Sequence, residues 1–279
     1  MLRTRVVTAL LLLAGFLFAL FLPPFSVWLL IVSLVCGLGA WEWGRLLQLG
    51  TAGRHGYALL SLSLTGALGW VVFDLGSGRT QQPDVLLAAY MLAGAFWLLV
   101  VPLWLKAKWP VRSGLRGCLA GLVVLLPACL AMMQLRAISP LFLLAVMAAV
   151  WMADITAYVC GRAFGRRKLA PAISPGKTWE GAVGAVCGVW LYGSTIAALA
   201  GRTPDGAHAW MMFGVAMAVL TTVSIFGDLF ESLAKRQAGV KDSGAILPGH
   251  GGVLDRIDSL TSTLPLVGLA ALLWGGRMP

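Results

Sequence analysis

The sequence predicts an all-α, polytopic membrane protein, on three observations. Hydrophobic residues make up 59% of the 279-residue chain and charged residues only 11%, against about 25% charged in soluble domains. Nine apolar segments, at 6–22, 25–43, 57–73, 85–105, 117–133, 140–160, 179–200, 209–230 and 259–274, are each long enough to cross about 30 Å of hydrocarbon at about 1.5 Å per residue. The loops between them alternate between basic and nearly uncharged. No polar stretch approaches the roughly 50 residues that a separate soluble domain needs.

Segment 6–22 follows Arg3 and Arg5 and has the outline of a signal peptide. Pro23 and Pro24 stand where a small-residue cleavage site would be, so it reads as an uncleaved first span. Segment 25–43 can continue as helix to about Leu49, with Glu42 and Arg45 as a local i, i+3 pair. Trp28, Trp41, Trp43, Trp104, Trp109 and Trp274 lie near segment ends and fit interfacial belts. The spacings Gly117/Gly121 and Gly184/Gly188 permit close helix contact. They read as packing within the chain before a homodimer seam, the alternative use of the same faces. Residues 1–135 read as a transmembrane scaffold open to lipid or dimer contacts, and 136–279 as the region that carries the chemistry.

With a cytoplasmic N-terminus, 17 of the 21 Lys and Arg residues fall in inside loops, leaving Arg79, Arg136, Arg202 and Arg277 outside. The positive-inside rule therefore selects N-in, C-out. The net charge of +10 is then explained by topology and anionic lipid, and no nucleic-acid motif accompanies it. Cys36, Cys118, Cys129, Cys160 and Cys187 all lie in apolar runs without a CxxC pair. This argues against disulfides and thiolate metal sites and for small core residues.

Chemistry concentrates in two places. Around Ser232–Asp258, the acids Asp228, Asp242, Asp255 and Asp258 crowd with Lys235, Arg236, Lys241 and Arg256 about a Gly249-His250-Gly251-Gly252 run. Mixed charge of that density beside a membrane needs compensation. Carboxylates gripping a divalent metal, with Lys and Arg gripping a polyphosphate, supply it. Asp255 and Asp258 project from one helical face. With Asp228 they form an all-oxygen set of metal ligands that favours Mg²⁺ over zinc, and the glycines permit close approach to a bulky anion. The second place is Asp154, an acid within an apolar run, followed by Ser174-Pro175-Gly176-Lys177-Thr178. The latter is not a P-loop, since Pro171 occupies the first glycine position and no strand is expected before it. Lys177 and the hydroxyls at a helix start can still hold phosphate.

Both places together resemble the signature of the phosphatidate cytidylyltransferases, also called CDP-diacylglycerol synthases. The match rests on Ser232, Lys235-Arg236, Lys241-Asp242, His250-Gly251-Gly252 and Asp255-Arg256-x-Asp258, with 154–165 and 168–181 upstream. Ala234 and Ile155-Thr156 depart from the commoner family residues without touching a charged position. The resemblance implies transfer of the cytidylyl group of CTP to phosphatidate, with Mg²⁺ and a second cation as an alternative, at the cytoplasmic side of a bacterial inner membrane. Asp228, Lys235, Asp255 and Asp258 would then be catalytic. Ser174, Lys177, Arg236, Lys241, His250, Gly251, Gly252, Arg256 and Asp154 would bind substrate, and Asp228, Asp255 and Asp258 would bind metal. Two other functions use the same residue types: a CTP-dependent lipid kinase, and a secondary transporter with Asp154 and Asp228 as cation sites.

Overall fold

The computed structural model describes residues 2–111, 114–247, 249 and 251–274. Helices α1 (Leu2–Phe21), α2 (Phe25–Leu46) and α3 (Thr51–Val72) come first. Next, α4 (Pro83–Ala95), a π-helical turn (Phe96–Val100) and α5 (Val101–Ala107) run on as one rod. Pro102 has no N–H to give, and the ladder widens to π just ahead of it. Helices α6 (Leu115–Ile138) and α7 (Pro140–Phe164) lead into a hairpin of β1 (Lys168–Ala170) and β2 (Ser174–Thr178). Helices α8 (Trp179–Leu199), α9 (Gly206–Gln237) and α10 (Leu254–Trp274) complete the fold.

Among the described residues, eight helices are long and apolar enough to cross a membrane, and the chain is a multi-pass membrane protein. They correspond to eight of the nine expected segments. The remaining one is α1, whose apolar part, Leu10–Phe21, is shorter.

The loops gather at two ends of the bundle. At one end, the Gln237 side chain joins α9 to the segment after α5, accepting from Val111 N at 2.7 Å and donating to Trp109 O at 3.0 Å. Arg236 donates to Ile173 O of the hairpin there, at 3.4 Å. At the other end, Arg136 donates to Leu20 O at 2.8 Å and Pro23 O at 2.5 Å, and Gly78 packs on Phe25 and Ala137.

One apolar core runs from Leu20 to Ala271, and α10 packs on α2, α4 and α6 as well as on α9. Trp28 and Trp43, expected in interfacial belts, are core residues instead. Their indoles donate to Met132 O at 3.4 Å and Gly117 O at 2.9 Å, so a polar tip that would otherwise seek the interface is satisfied inside. Both glycine pairs pack within the chain. A Cβ at Gly121 would collide with the Trp43 indole, and one at Gly184 or Gly188 with Cys160 or Thr156 of α7. Cys36 and Cys129 are buried as expected, whereas Cys187 is exposed on α8.

The hairpin was not anticipated. Ser174–Thr178 is itself a strand, paired antiparallel to Lys168–Ala170. Ile173 and Leu169 anchor it on Leu229 and Leu233 of α9, and Thr178 ends it by accepting from Gly181 N at 3.1 Å as the N-cap of α8.

Phe230 of α9 is clamped by four aromatic rings. Phe96, Trp97 and Trp104 meet it edge-on with centroids at 5.6, 5.8 and 5.4 Å, and Trp43 stacks at 5.9 Å. This fixes the rotation of α9 next to Asp228 and Glu231. Phe230→Ala should cost about 3 kcal/mol through the cavity it leaves, read as a lowered melting temperature of the detergent-solubilised protein.

Candidate active site

A cavity of about 430 Å³ opens between α7, the hairpin, α8 and α9, with Asp154, Arg162, Ser174, Lys177 and Asp228 on its wall. It unites the two charged regions of the sequence. Lys177, extended from β2, forms an ion pair with Asp228 of α9. Ser232, one turn on, donates to the other Asp228 oxygen at 3.2 Å. Arg162 donates to the Tyr158 hydroxyl at 3.1 Å along the exposed face of α7. The Lys177 and Asp228 side chains are about a quarter exposed (25% and 26%), so their pairing is open to exchange with a charged ligand.

Gly227 lets α9 and α10 touch: a Cβ there would stand 2.6 Å from the Asp258 carbonyl oxygen and 3.1 Å from Ser259 Cα. That crossing sets the Asp258 backbone against Gly227, the residue before Asp228. Acids from three helices thus share one region.

Beside it lies a buried ion network. Lys235 Nζ donates to Glu231 Oε2 at 2.7 Å and Asp255 Oδ1 at 2.6 Å. Asp255 Oδ2 accepts from Ser243 N and Ser243 Oγ at 2.9 Å each and from Gly252 N at 2.8 Å. Both Asp255 oxygens are therefore committed to the protein. Glu231 Oε1, by contrast, is buried and has no hydrogen-bond partner among the described residues.

Glu42 of α2 is fully buried. Its carboxylate does not serve a local pair with Arg45, which is exposed. It accepts from Ser243 Oγ at 3.1 Å, Val253 N at 3.0 Å and Leu254 N at 2.7 Å. A Cβ at Gly244 or Gly252 would collide with it. The glycines of this loop do admit an anion, and the anion they admit is Glu42. Gly251 has φ +80°, the left-handed region glycine favours, and its carbonyl accepts from Leu247 N at 3.0 Å to close the loop.

Of the expected site residues, Asp154, Ser174, Lys177 and Asp228 line the cavity, and Asp258 adjoins them. Lys235 and Asp255 form the buried network. Gly251 and Gly252 shape the loop, and Arg236 ties α9 to the hairpin. Lys241 and Arg256 are exposed on the loop and on the first turn of α10. His250 lies outside the described residues. Among the described residues no three His, Cys, Asp or Glu side chains already stand as a set of metal ligands. In the sequence Glu42 reads only as a local partner of Arg45, and Glu231, Tyr158 and Arg162 are not among the expected site residues. The signal for Glu42 was the same as for Asp154: an acid in an apolar run.

Asp255→Asn would leave Lys235 with one acid and weaken the cap of α10. It should destabilise the protein by about 3 kcal/mol, whereas Asp228→Asn, partly exposed and singly paired, should leave the melting temperature within a few degrees. Thermal unfolding in detergent compares the two.

The model of the cytidylyltransferase family matches residues 3–274. The phosphatidate cytidylyltransferase of Pseudomonas aeruginosa is 41% identical over 98% of this chain and 97% of its own. That of Haemophilus influenzae is 36% identical over 95% of this chain and 96% of its own. A third, from Staphylococcus aureus, is 45% identical over 43% of this chain and 45% of its own. On a match of this extent, with both charged regions folded into one site, the chain belongs to the cytidylyltransferase family.

Proposed function

We propose that this protein transfers the cytidylyl group of CTP to phosphatidate, giving CDP-diacylglycerol and pyrophosphate. The observation that carries the reading is the cavity between membrane-spanning helices where Lys177, Asp228 and Asp154 meet, in a chain akin over nearly its full length to enzymes named for this reaction. A phosphate oxygen of phosphatidate attacks the α-phosphorus of CTP. The bond from that phosphorus to the bridging oxygen breaks, and its electron pair leaves on pyrophosphate. The attacking oxygen is already anionic, so no side-chain nucleophile is required. What the protein must supply is in-line positioning and neutralisation of charge.

Lys177, Ser174 and Arg162 hold phosphate oxygens inside the cavity. Arg236, Lys241 and Arg256 draw the triphosphate toward the polar end. Lys235 and Asp255 hold the α9–α10 crossing together. The donor chemistry fits Mg²⁺, because the carboxylates are all-oxygen ligands and one buried Glu231 oxygen has no partner among the described residues. Asp228 and Asp258 would hold it, with Glu231 beside them and Asp154 available to a second cation. When bound, the ion neutralises charge that develops on the transferring phosphates. The hairpin and the 238–253 loop face the cytoplasm of a bacterial inner membrane, where CTP is found.

Purified protein given phosphatidate, Mg²⁺ and CTP labelled at the α-phosphate should move label into lipid. Lipid labelled only from γ-labelled CTP would identify a lipid kinase instead. Asp228→Asn and Asp258→Asn should each lower kcat roughly 100-fold and raise the Mg²⁺ concentration for half-activity, measured in the same assay. Near-normal turnover by either would remove that residue from the site.

A further inference from the structure

Glu42 belongs to the second helix of the chain, yet the hydrogen bonds its carboxylate accepts from Ser243, Val253 and Leu254 reach residues 201 to 212 positions later. Val253 N and Leu254 N are donors at the start of α10, groups that no intrahelical carbonyl can serve. A carboxylate there satisfies them and complements the positive end of the helix. Asp255 clasps the same turn from its own helix through Gly252 N and Ser243. Gly244 and Gly252 leave no room for a Cβ between loop and carboxylate, so the loop closes directly on Glu42. Asp258 stands one helical turn beyond Leu254, and any shift of that first turn moves it relative to Asp228.

From this geometry we infer that Glu42 is a positioning residue for the reaction: it caps α10 from another helix and so sets the face on which Asp258 meets Asp228. The inference rests on the proposed reaction for its kinetic consequence but not for its structural one. Glu42 touches no reacting atom in this role. Replacement by glutamine puts an amide N–H₂ among backbone donors and removes the charge, so the cap fails with little change in volume.

The test compares Glu42→Gln with Trp28→Phe, a core change in the same helix remote from the loop, at matched loss of melting temperature. Trypsin cleavage after exposed Lys241, well below melting, reads opening of the loop. Glu42→Gln should be cleaved about tenfold faster, the scale of a lost cap. Its kcat should fall about tenfold or more, with KM for CTP changed less than about threefold. Trp28→Phe should change none of these. Glu42→Asp, which keeps the charge, should recover part of both effects. Cleavage and kcat equal to those of Trp28→Phe would overturn the inference, as would a fall in kcat with unchanged cleavage. If Glu42→Gln yields no folded protein, Ser243→Ala takes its place, and unchanged cleavage there overturns the inference. Should the wild type form no CDP-lipid, the proposed reaction fails while the cleavage comparison still decides the role of Glu42.

Discussion

The crossing of α9 and α10 depends on one buried cation. Lys235 lies between Glu231 and Asp255, two acids that would repel each other in a medium of low dielectric. With the lysine in place, the first turn of α10 can approach the last turns of α9 closely enough for Gly227 to rest against the backbone at Asp258. Without it, two carboxylates and the N–H groups they serve would have to find other partners away from water. The reactive end of the bundle is therefore organised by charge, although most of the protein is organised by apolar packing.

Around this network the remaining parts fall into place by packing. The Phe230 clamp sets the rotation of α9, the hairpin leans on Leu229 and Leu233, and the tight α7–α8 seam carries Asp154 to the cavity wall. The cavity is bounded by elements that hydropathy alone would separate into unrelated spans. Across those spans Lys177 and Asp228 pair at the cavity wall, each about a quarter exposed.

Hydropathy made the spans legible because the demand for about 20 apolar residues is severe. Their ends were less so. Segment 209–230 is part of a helix that continues through Gln237, since Glu231 and Lys235 keep helical backbone bonds while hydropathy falls. The hairpin left almost no trace, because strands of three and five residues, with Pro171 between them and Pro175 in the second, carry no usable alternation. In the site, Asp154, Lys177, Asp228 and Asp258 were legible as acids and bases that an apolar chain would not keep idly. Glu42 was hidden by Arg45, three residues on, which offered a local partner and made a search across two hundred residues look unnecessary. The glycine loop reads in the sequence as room for a bulky ligand anion; in the fold Gly244 and Gly252 lie against the Glu42 carboxylate, a contact no single sequence announces.

The aromatic clamp on Phe230 has a consequence for how this chemistry could be borrowed. Its rings come from α2 and from the α4–α5 rod, while both charged motifs, from Asp154 to Asp258, lie in the second half of the chain. A designer who transplanted that second half into another bundle would carry over both charged motifs and leave behind the scaffold that orients them. Portability here is set by the plain, greasy helices of the first half.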